Sequence, residues 1–280
     1  MTQSVAFIGL GAMGYRMAAH LPKYFDTVYV WNRNFSKAEQ HATEFGTIAS
    51  ELEQAAQADV IFSCLPTSQD VENLISSIKI KSGAIWIDCT SGVPDAARRL
   101  AEQLKAQNVA FLDAPVSGQT IGAENATLTF MVGGDIDAFE RAYPAMSALG
   151  KLIQHVGESG AGFAVKAINN MLLAVNLWSV AEGFTTLKAH GVNLDAALNC
   201  INASSGKSLV TENIFPQRVL SREFPVTFAL PLLAKDTGIA LDLVHDAKLP
   251  APILSLAQSL IQAANLTAES KDRKSTRLNS

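Results

Sequence analysis

The chain has 280 residues, a net charge of −4, 48% hydrophobic and 17% charged residues, with 18 glycines and 10 prolines. That length fits one large or two medium domains and buries roughly three quarters of the unfolded surface, so neither a disulfide nor a metal is needed as a staple. The composition excludes disordered, fibrous and membrane classes, and the slightly acidic balance speaks against a general nucleic-acid binder. No apolar run reaches about 18 residues, and no basic and apolar leader opens the sequence, so neither a membrane span nor a signal peptide is expected. Cys64, Cys89 and Cys200 are widely spaced and odd in number. They form neither a disulfide framework nor a zinc spacing, which favours a reducing, cytoplasmic setting. His20, His41, His155, His190 and His245 are scattered without metal-ligand spacing, and no metal is expected.

In chain order, the first half alternates. Short apolar runs at Val5 to Ile8, Thr27 to Trp31, Val60 to Cys64, Ala84 to Asp88 and Val109 to Leu112 read as strands. Helical patterns at Gly11 to Leu21, Ser36 to Phe45, Ser68 to Ser76 and Pro94 to Gln107 fall between them. This alternation predicts βαβ units, and continuous rather than alternating apolar strands predict a sheet covered on both faces. After about residue 160 strand signals vanish. Gly160-Ala161-Gly162 opens a helix reaching about His190, with Ala167, Met171, Ala174, Trp178 and Ala181 at helical spacing. Further helices are predicted at Leu194 to Ala203, Thr211 to Leu220, Ala229 to His245 and Pro252 to Asn265. The expected fold is α/β, a Rossmann doubly wound sheet domain over 1–160 followed by an all-helical substrate and oligomerisation domain over 161–271. Residues 272–280 carry three basic and one acidic residue without apolar periodicity and read as a non-native tail, with the helical domain cut short before it.

Gly9-Leu10-Gly11-Ala12-Met13-Gly14 fits G-x-G-x-x-G between a predicted strand and a predicted helix. The first glycine makes the turn, the second lets a pyrophosphate approach the backbone, and the third lets helix and strand pack closely. The helix start offers N–H donors to the phosphates. At the end of the second strand, where NAD enzymes place a carboxylate on the ribose, stand Trp31-Asn32-Arg33-Asn34. Arg33 suits a 2′-phosphate, so NADP(H) is expected over NAD(H).

Asp113-Ala114-Pro115-Val116-Ser117-Gly118-Gln119 follows the fifth strand-like run, at the carboxyl end where open α/β sheets bind ligands. Ser117 with the N–H groups of Gly118 and Gln119 could cradle a carboxylate or simply turn the chain. Lys166 and Asn170 share one face of the apolar helix. Such a lysine either snorkels to solvent or, desolvated, exchanges protons near neutrality.

Taken together, the GLGAMG loop, the DAPVSG segment, Gly122 to Gly134 (GAENATLTFMVGG), the glycine-led Lys166-x-x-Asn169-Asn170 segment and Ala234-Lys235-Asp236 make the chain resemble the β-hydroxyacid dehydrogenase family over about residues 4 to 268. The family includes 3-hydroxyisobutyrate dehydrogenase and glyoxylate/succinic semialdehyde and tartronate semialdehyde reductases. The resemblance implies that Lys166 is catalytic, that Asn170 places substrate and lysine, and that Ser117, Gly118 and Gln119 bind the substrate carboxylate. It implies Ser91 near the nicotinamide and Lys235 on the cofactor, with Asp236 and Phe228 nearby. Leu65 and Pro66 join Gly9 to Gly14 and Asn32 to Asn34 on the cofactor side. Gln119 departs from the usual second glycine of SGG, Asn125-Ala126 from the usual pair ending in glycine, and Ser91 from the usual threonine.

The implied reaction is hydride transfer between a nicotinamide cofactor and a small carboxylate-bearing hydroxy acid, in a cytoplasmic homodimer or homotetramer without nucleic-acid or membrane partners. The alternatives are an imine reductase-like enzyme, which Lys166 disfavours, and a catalytically silent NADP-binding scaffold.

Overall fold

A computed structural model of the chain describes residues 3–224 and 228–278, with side chains up to residue 268. Two compact units divide at Lys166/Ala167.

In the first unit, β1 (Val5–Ile8), β2 (Val28–Trp31), β3 (Ile48–Ala49), β4 (Val60–Ser63), β5 (Ile85–Asp88) and β6 (Ala110–Asp113) form a parallel set in the order β3-β2-β1-β4-β5-β6. The chain then breaks at Pro115, which has no N–H to give a ladder. Beyond it, β7 (Val116–Ser117) and β6 both pair antiparallel with β8 (Leu128–Gly133), and β9 (Gly150–Gly157) pairs parallel with β8. The sheet is thus the doubly wound one expected, with an antiparallel step added.

Alternate strand residues serve opposite faces. Val5, Phe7, Val28, Val30, Val60, Phe62, Ile85 and Ile87 enter one buried cluster with Met17, Leu21, Ala38 and Ala142. Ala6, Ile8, Ile61, Trp86 and Phe111 enter the other with Val71, Ile75, Leu100 and Leu104. The first face is covered by α1 (Gly14–Ala18), α2 (Phe35–Phe45), α6 (Gln119–Glu124) and α7 (Ile136–Ser147); the second by α3 (Leu52–Ala55), α4 (Ser68–Ser76) and α5 (Pro94–Lys105). Fully burying one such large side chain is worth about 1.5–3 kcal/mol. Local signals set the helix ends. Thr67 and Asp70 form a reciprocal capping box on α4, Pro94 opens α5, and Asp135 caps α7.

The second unit is helical. It holds most of α8 (Ala161–Ala189), then α9 (Leu194–Asn202), a π-type helix at Val210–Leu220, α10 (Leu230–Asp246) and α11 (Pro252–Leu278). Three differences from the sequence reading have physical causes. The pattern at 11–21 becomes a short α1 and a single 3-10 turn at Leu21–Lys23, because Pro22 interrupts the helix. The segment 210–220 is wound wider than an α-helix, a difference of pitch that apolar spacing over 11 residues does not resolve. Helix α11 continues past Asn265 through Leu278, since extending an existing helix costs far less than starting one. The last two residues of the supposed tail lie outside the described residues. Helix α8 is, by length and composition, long and apolar enough to cross a membrane, although no uninterrupted apolar run is. Lys166, Asn169 and Asn170 interrupt the run without removing the overall apolarity.

Candidate active site

Strand register builds the site's edge. Ile8 lies beside Trp31 and Ser63, Ser63 beside Asp88, and Asp88 beside Asp113. The residues that follow, Gly9, Asn32, Cys64, Cys89 and Ala114, therefore leave the sheet along one line at the carboxyl ends of five strands.

Gly9 has φ +95°, and its N–H donates to the Trp31 carbonyl at 2.9 Å. A Cβ on Gly9 would stand 2.5 Å from the Cys64 carbonyl oxygen, and one on Gly14 only 2.0 Å from the Gly9 carbonyl oxygen. Both glycines are demanded by the fold. Gly11 is different: it is exposed, and a Cβ there would meet nothing within 4 Å. The space it leaves open is what a pyrophosphate approaching the backbone would use, so the loop fits a dinucleotide. Tyr15 donates its N–H to the Gly11 carbonyl, which fixes the turn that Ala12 and Met13 span.

Asn32 accepts the Leu10 N–H at 3.0 Å and donates to the Asn34 carbonyl at 3.1 Å. It clamps the loop to the β2–α2 turn and so acts on the loop's shape. Arg33 and Asn34 are exposed, with Asn34 at the start of α2 accepting from Ser36. Leu65 donates its N–H to Thr90 Oγ1 at 3.1 Å; Pro66 is exposed and Ser91 half-buried. Beneath them, buried Asp88 accepts from Ser63 Oγ at 2.9 Å and from the Thr90 N–H, while Trp86 Nε1 donates to Ser63 Oγ. Asp88 and Thr90 went unassigned in the sequence reading; a carboxylate ending an apolar strand was the available signal. Burial, with Asp88's charge adding to it, pushes the Cys64 thiol up to about 12 and raises Cys89 as well, so neither is a nucleophile.

Ser117 is half-buried at the end of β7, followed by exposed Gly118 (φ +135°) and Gln119 (φ +58°), the second in a region that a side chain disfavours. Lys166 is half-buried on α8, and Asn170 follows four residues later, buried. Asn170 Nδ2 donates to Asp236 Oδ2 at 2.6 Å, Asn169 donates to Asn170 Oδ1, and Lys235 Nζ lies 3.0 Å from Asp236 Oδ1. One buried carboxylate thus joins Asn170 and Lys235 and fixes which way the Asn170 amide faces. Asp113, another residue without an assigned role, is buried and accepts backbone N–H groups from Gly160 and Phe163 at 2.8 and 2.9 Å.

Residues 4–157 match the family described as the NAD binding domain of 6-phosphogluconate dehydrogenase, and 160–278 that described as NAD-binding of NADP-dependent 3-hydroxyisobutyrate dehydrogenase. The 2-(hydroxymethyl)glutarate dehydrogenase of Eubacterium barkeri is 36% identical over 265 residues, spanning 92% of this chain and 88% of that enzyme. An NAD-dependent L-serine dehydrogenase of Pseudomonas aeruginosa is 36% identical over 270 residues, spanning 92% and 91%. The structure of Mycobacterium tuberculosis 3-hydroxyisobutyrate dehydrogenase with L-serine superposes with a TM-score of 0.86 at 31% identity, covering 96% of this chain and 94% of that one. An imine reductase from Pseudomonas sp., at 20% identity, 96% and 95% coverage and a TM-score of 0.61, shares the fold alone.

Proposed function

Since the chain belongs to the β-hydroxyacid dehydrogenase family and is an NAD(P)-dependent oxidoreductase of the 3-hydroxyisobutyrate dehydrogenase type, we propose that it interconverts a small 3-hydroxy acid and its semialdehyde, with Lys166 as general acid and base. The observation that carries this reading is the aligned carboxyl edge of the sheet, where Gly11 leaves open the space a side chain would fill. 2-(Hydroxymethyl)glutarate and L-serine, named for two relatives, share a hydroxymethyl group on the carbon that bears the carboxylate. A 2-substituted 3-hydroxypropanoate is accordingly the substrate class.

Residues 1–160 bind the nucleotide, and 161–271 serve substrate binding and assembly. When bound, the nicotinamide supplies or accepts a hydride at the substrate's carbonyl carbon. Gly9 to Gly14 hold the pyrophosphate, with Leu65, Pro66, Ser91 and Lys235 completing the cofactor's surroundings. Exposed Arg33, with no ion pair among the described residues, is available to a 2′-phosphate and supports NADP(H) over NAD(H). Ser117, Gly118 and Gln119 bind the substrate carboxylate. In reduction the Lys166 ammonium donates its proton to the oxygen as charge develops there; in oxidation the neutral amine takes the hydroxyl proton. Asn170 holds the substrate for that transfer.

The exposed apolar side chains Leu172, Leu232, Ile253 and Leu256 support a homodimer or homotetramer; a clean monomer in light scattering contradicts it. Lys166→Ala is expected to keep NADPH binding and lose at least ~100-fold in kcat on 3-hydroxyisobutyrate, L-serine or the corresponding semialdehydes. Near-normal turnover in that variant removes Lys166 from the mechanism. Turnover with NADH as good as with NADPH overturns the cofactor preference.

A further inference from the structure

An α-helix begins with four N–H groups that its own backbone leaves unserved, and a polar side chain just before the helix usually serves one of them. Helix α8 is served from elsewhere. Asp113, at the last position of β6, gives one carboxylate oxygen to the Gly160 N–H (2.8 Å) and the other to the Phe163 N–H (2.9 Å), from 47 and 50 residues earlier in the chain. Two donors on two oxygens fix the helix start in position and in rotation about its axis. We propose that Asp113 is a positioning residue for Lys166: by seating the first turn of α8 on the sheet edge, it sets where the lysine stands one turn after Phe163.

The surrounding backbone is drawn in tightly enough to make this seat rigid. A Cβ on Gly133, the residue paired with Asp113 across the sheet, would lie 2.7 and 2.8 Å from the two carboxylate oxygens. One on Gly162 would lie 2.3 Å from the carbonyl oxygens of both Asp113 and Met131. Gly160 has φ +95°, with the Pro94 carbonyl oxygen 2.9 Å from where its Cβ would be. The Gly160-x-Gly162 motif is thereby explained as the close approach of α8 to β6 and β8. The Phe163 ring completes the seat, buried in the second core cluster and filling the space beside Gly92.

The seat has a cost, because Asp113 is fully buried. Burial pushes its carboxyl up to about 6, against the pull of the two N–H groups, and the charge of Asp88 adds to the rise. A capping side chain at position 160 would tie the helix only to its own preceding turn, and the φ of +95° and the Pro94 carbonyl oxygen leave no room for one there. Asp113 ties it to the strand edge that carries the nucleotide loop, through the register Asp113–Asp88–Ser63–Ile8. A displacement of about 1 Å at a reacting group can cost on the order of 100-fold in rate.

The inference rests on the assignment of Lys166 and is tested separately from it. In Asp113→Asn the shape is kept, but one N–H meets an amide donor instead of an acceptor; Asp113→Ser shortens the reach. Both variants are expected to bind NADPH within about twofold of the wild type and to lose at least ~10-fold in kcat with little change in KM. The Asn variant should retain more activity than the Ser variant. Wild-type kcat in folded Asp113→Asn overturns the proposal even if Tm falls, as does a loss confined to cofactor affinity or a failure of both variants to fold. Should Lys166→Ala keep its turnover, the parent reading fails instead.

Discussion

The sheet unit and the helical unit hold their functional residues by different means. In the sheet unit two continuous buried clusters cover both faces, and β1, β4 and β5 are buried throughout. Polar groups at the strand ends are cross-linked: Trp86 to Ser63, Ser63 to Asp88, Thr90 to Asp88 and to Leu65. In the helical unit the buried apolar residues, among the described residues, form three clusters of four or five, and Asn170 and Lys235 both meet the Asp236 carboxylate. Placement by register is spread over many ladder bonds and strand-end contacts, whereas Asn170 and Lys235 share one buried carboxylate.

The largest effect that tests this contrast is in the sheet. Trp86→Ala should cost about 3–5 kcal/mol in urea unfolding, since it leaves a cavity and takes a donor from Ser63. Leu266→Ala, on an exposed position of α11, should stay within about 0.5 kcal/mol. Similar losses for the two would break the comparison. Next, Asp236→Ala should cost about 1–3 kcal/mol and raise KM for the hydroxy acid, because the Asn170 amide and the Lys235 ammonium lose their common acceptor; unchanged stability and KM would show that the carboxylate is dispensable.

A smaller effect lies in pH. His41 is buried against Tyr15 and Phe45, bonded to Thr47 Oγ1 and the Tyr15 carbonyl, and burial lowers its pKa below 6.5. The neutral ring is the form that folds, so stability from this group is present above 6.5 and is lost as pH falls through 6.5 toward the folded value. Asp113 acts with the opposite sign. Its carboxyl is raised, so between its ordinary value and about 6 acidification favours the folded state. The Tm of the wild type should fall between pH 7 and 6 more steeply than that of His41→Asn; parallel slopes would exclude His41. Least of all, Gln119→Gly should shift stability by no more than about 1 kcal/mol in urea unfolding, because relief of the left-handed backbone is offset by the glycine's entropy and by the interaction Gln119 gives up; a larger shift in either direction would show that one of these effects dominates.

Five of the six strands of the parallel set and the glycine loop were legible because each is encoded locally, by an apolar run ending in glycines or polar residues, whereas the two-residue β3 gives no such run. Residues 116–157 carry no strand or helix in the sequence reading. There β7 is two residues long, and β9 runs half exposed at an edge, so neither produces a continuous apolar signal. Lys166 and Asn170 could be picked out because polar groups on an apolar helix are conspicuous. Asp113 and Asp236 could not be given their tasks, because a carboxylate's partners 47 or 66 residues away exist only after folding. Asn32 was placed near the cofactor for its position after β2, and its clamp on the Leu10 N–H needed the register of β1 and β2 to be seen.

Strand β1 has a consequence for how the chain is made. Its neighbours are β2, 23 residues on, and β4, 55 residues on, as the pairs Val5–Val28 and Val5–Val60 show. Gly9 closes against the carbonyl of Cys64, at the end of β4. Pairings this distant along the chain form late, because loop closure comes before any contact repays it. During synthesis, β1 therefore waits for β4 to emerge before the glycine loop takes its shape. Until then β1 is an apolar strand with an open edge, and that is the interval in which the nascent chain is most exposed to mispairing.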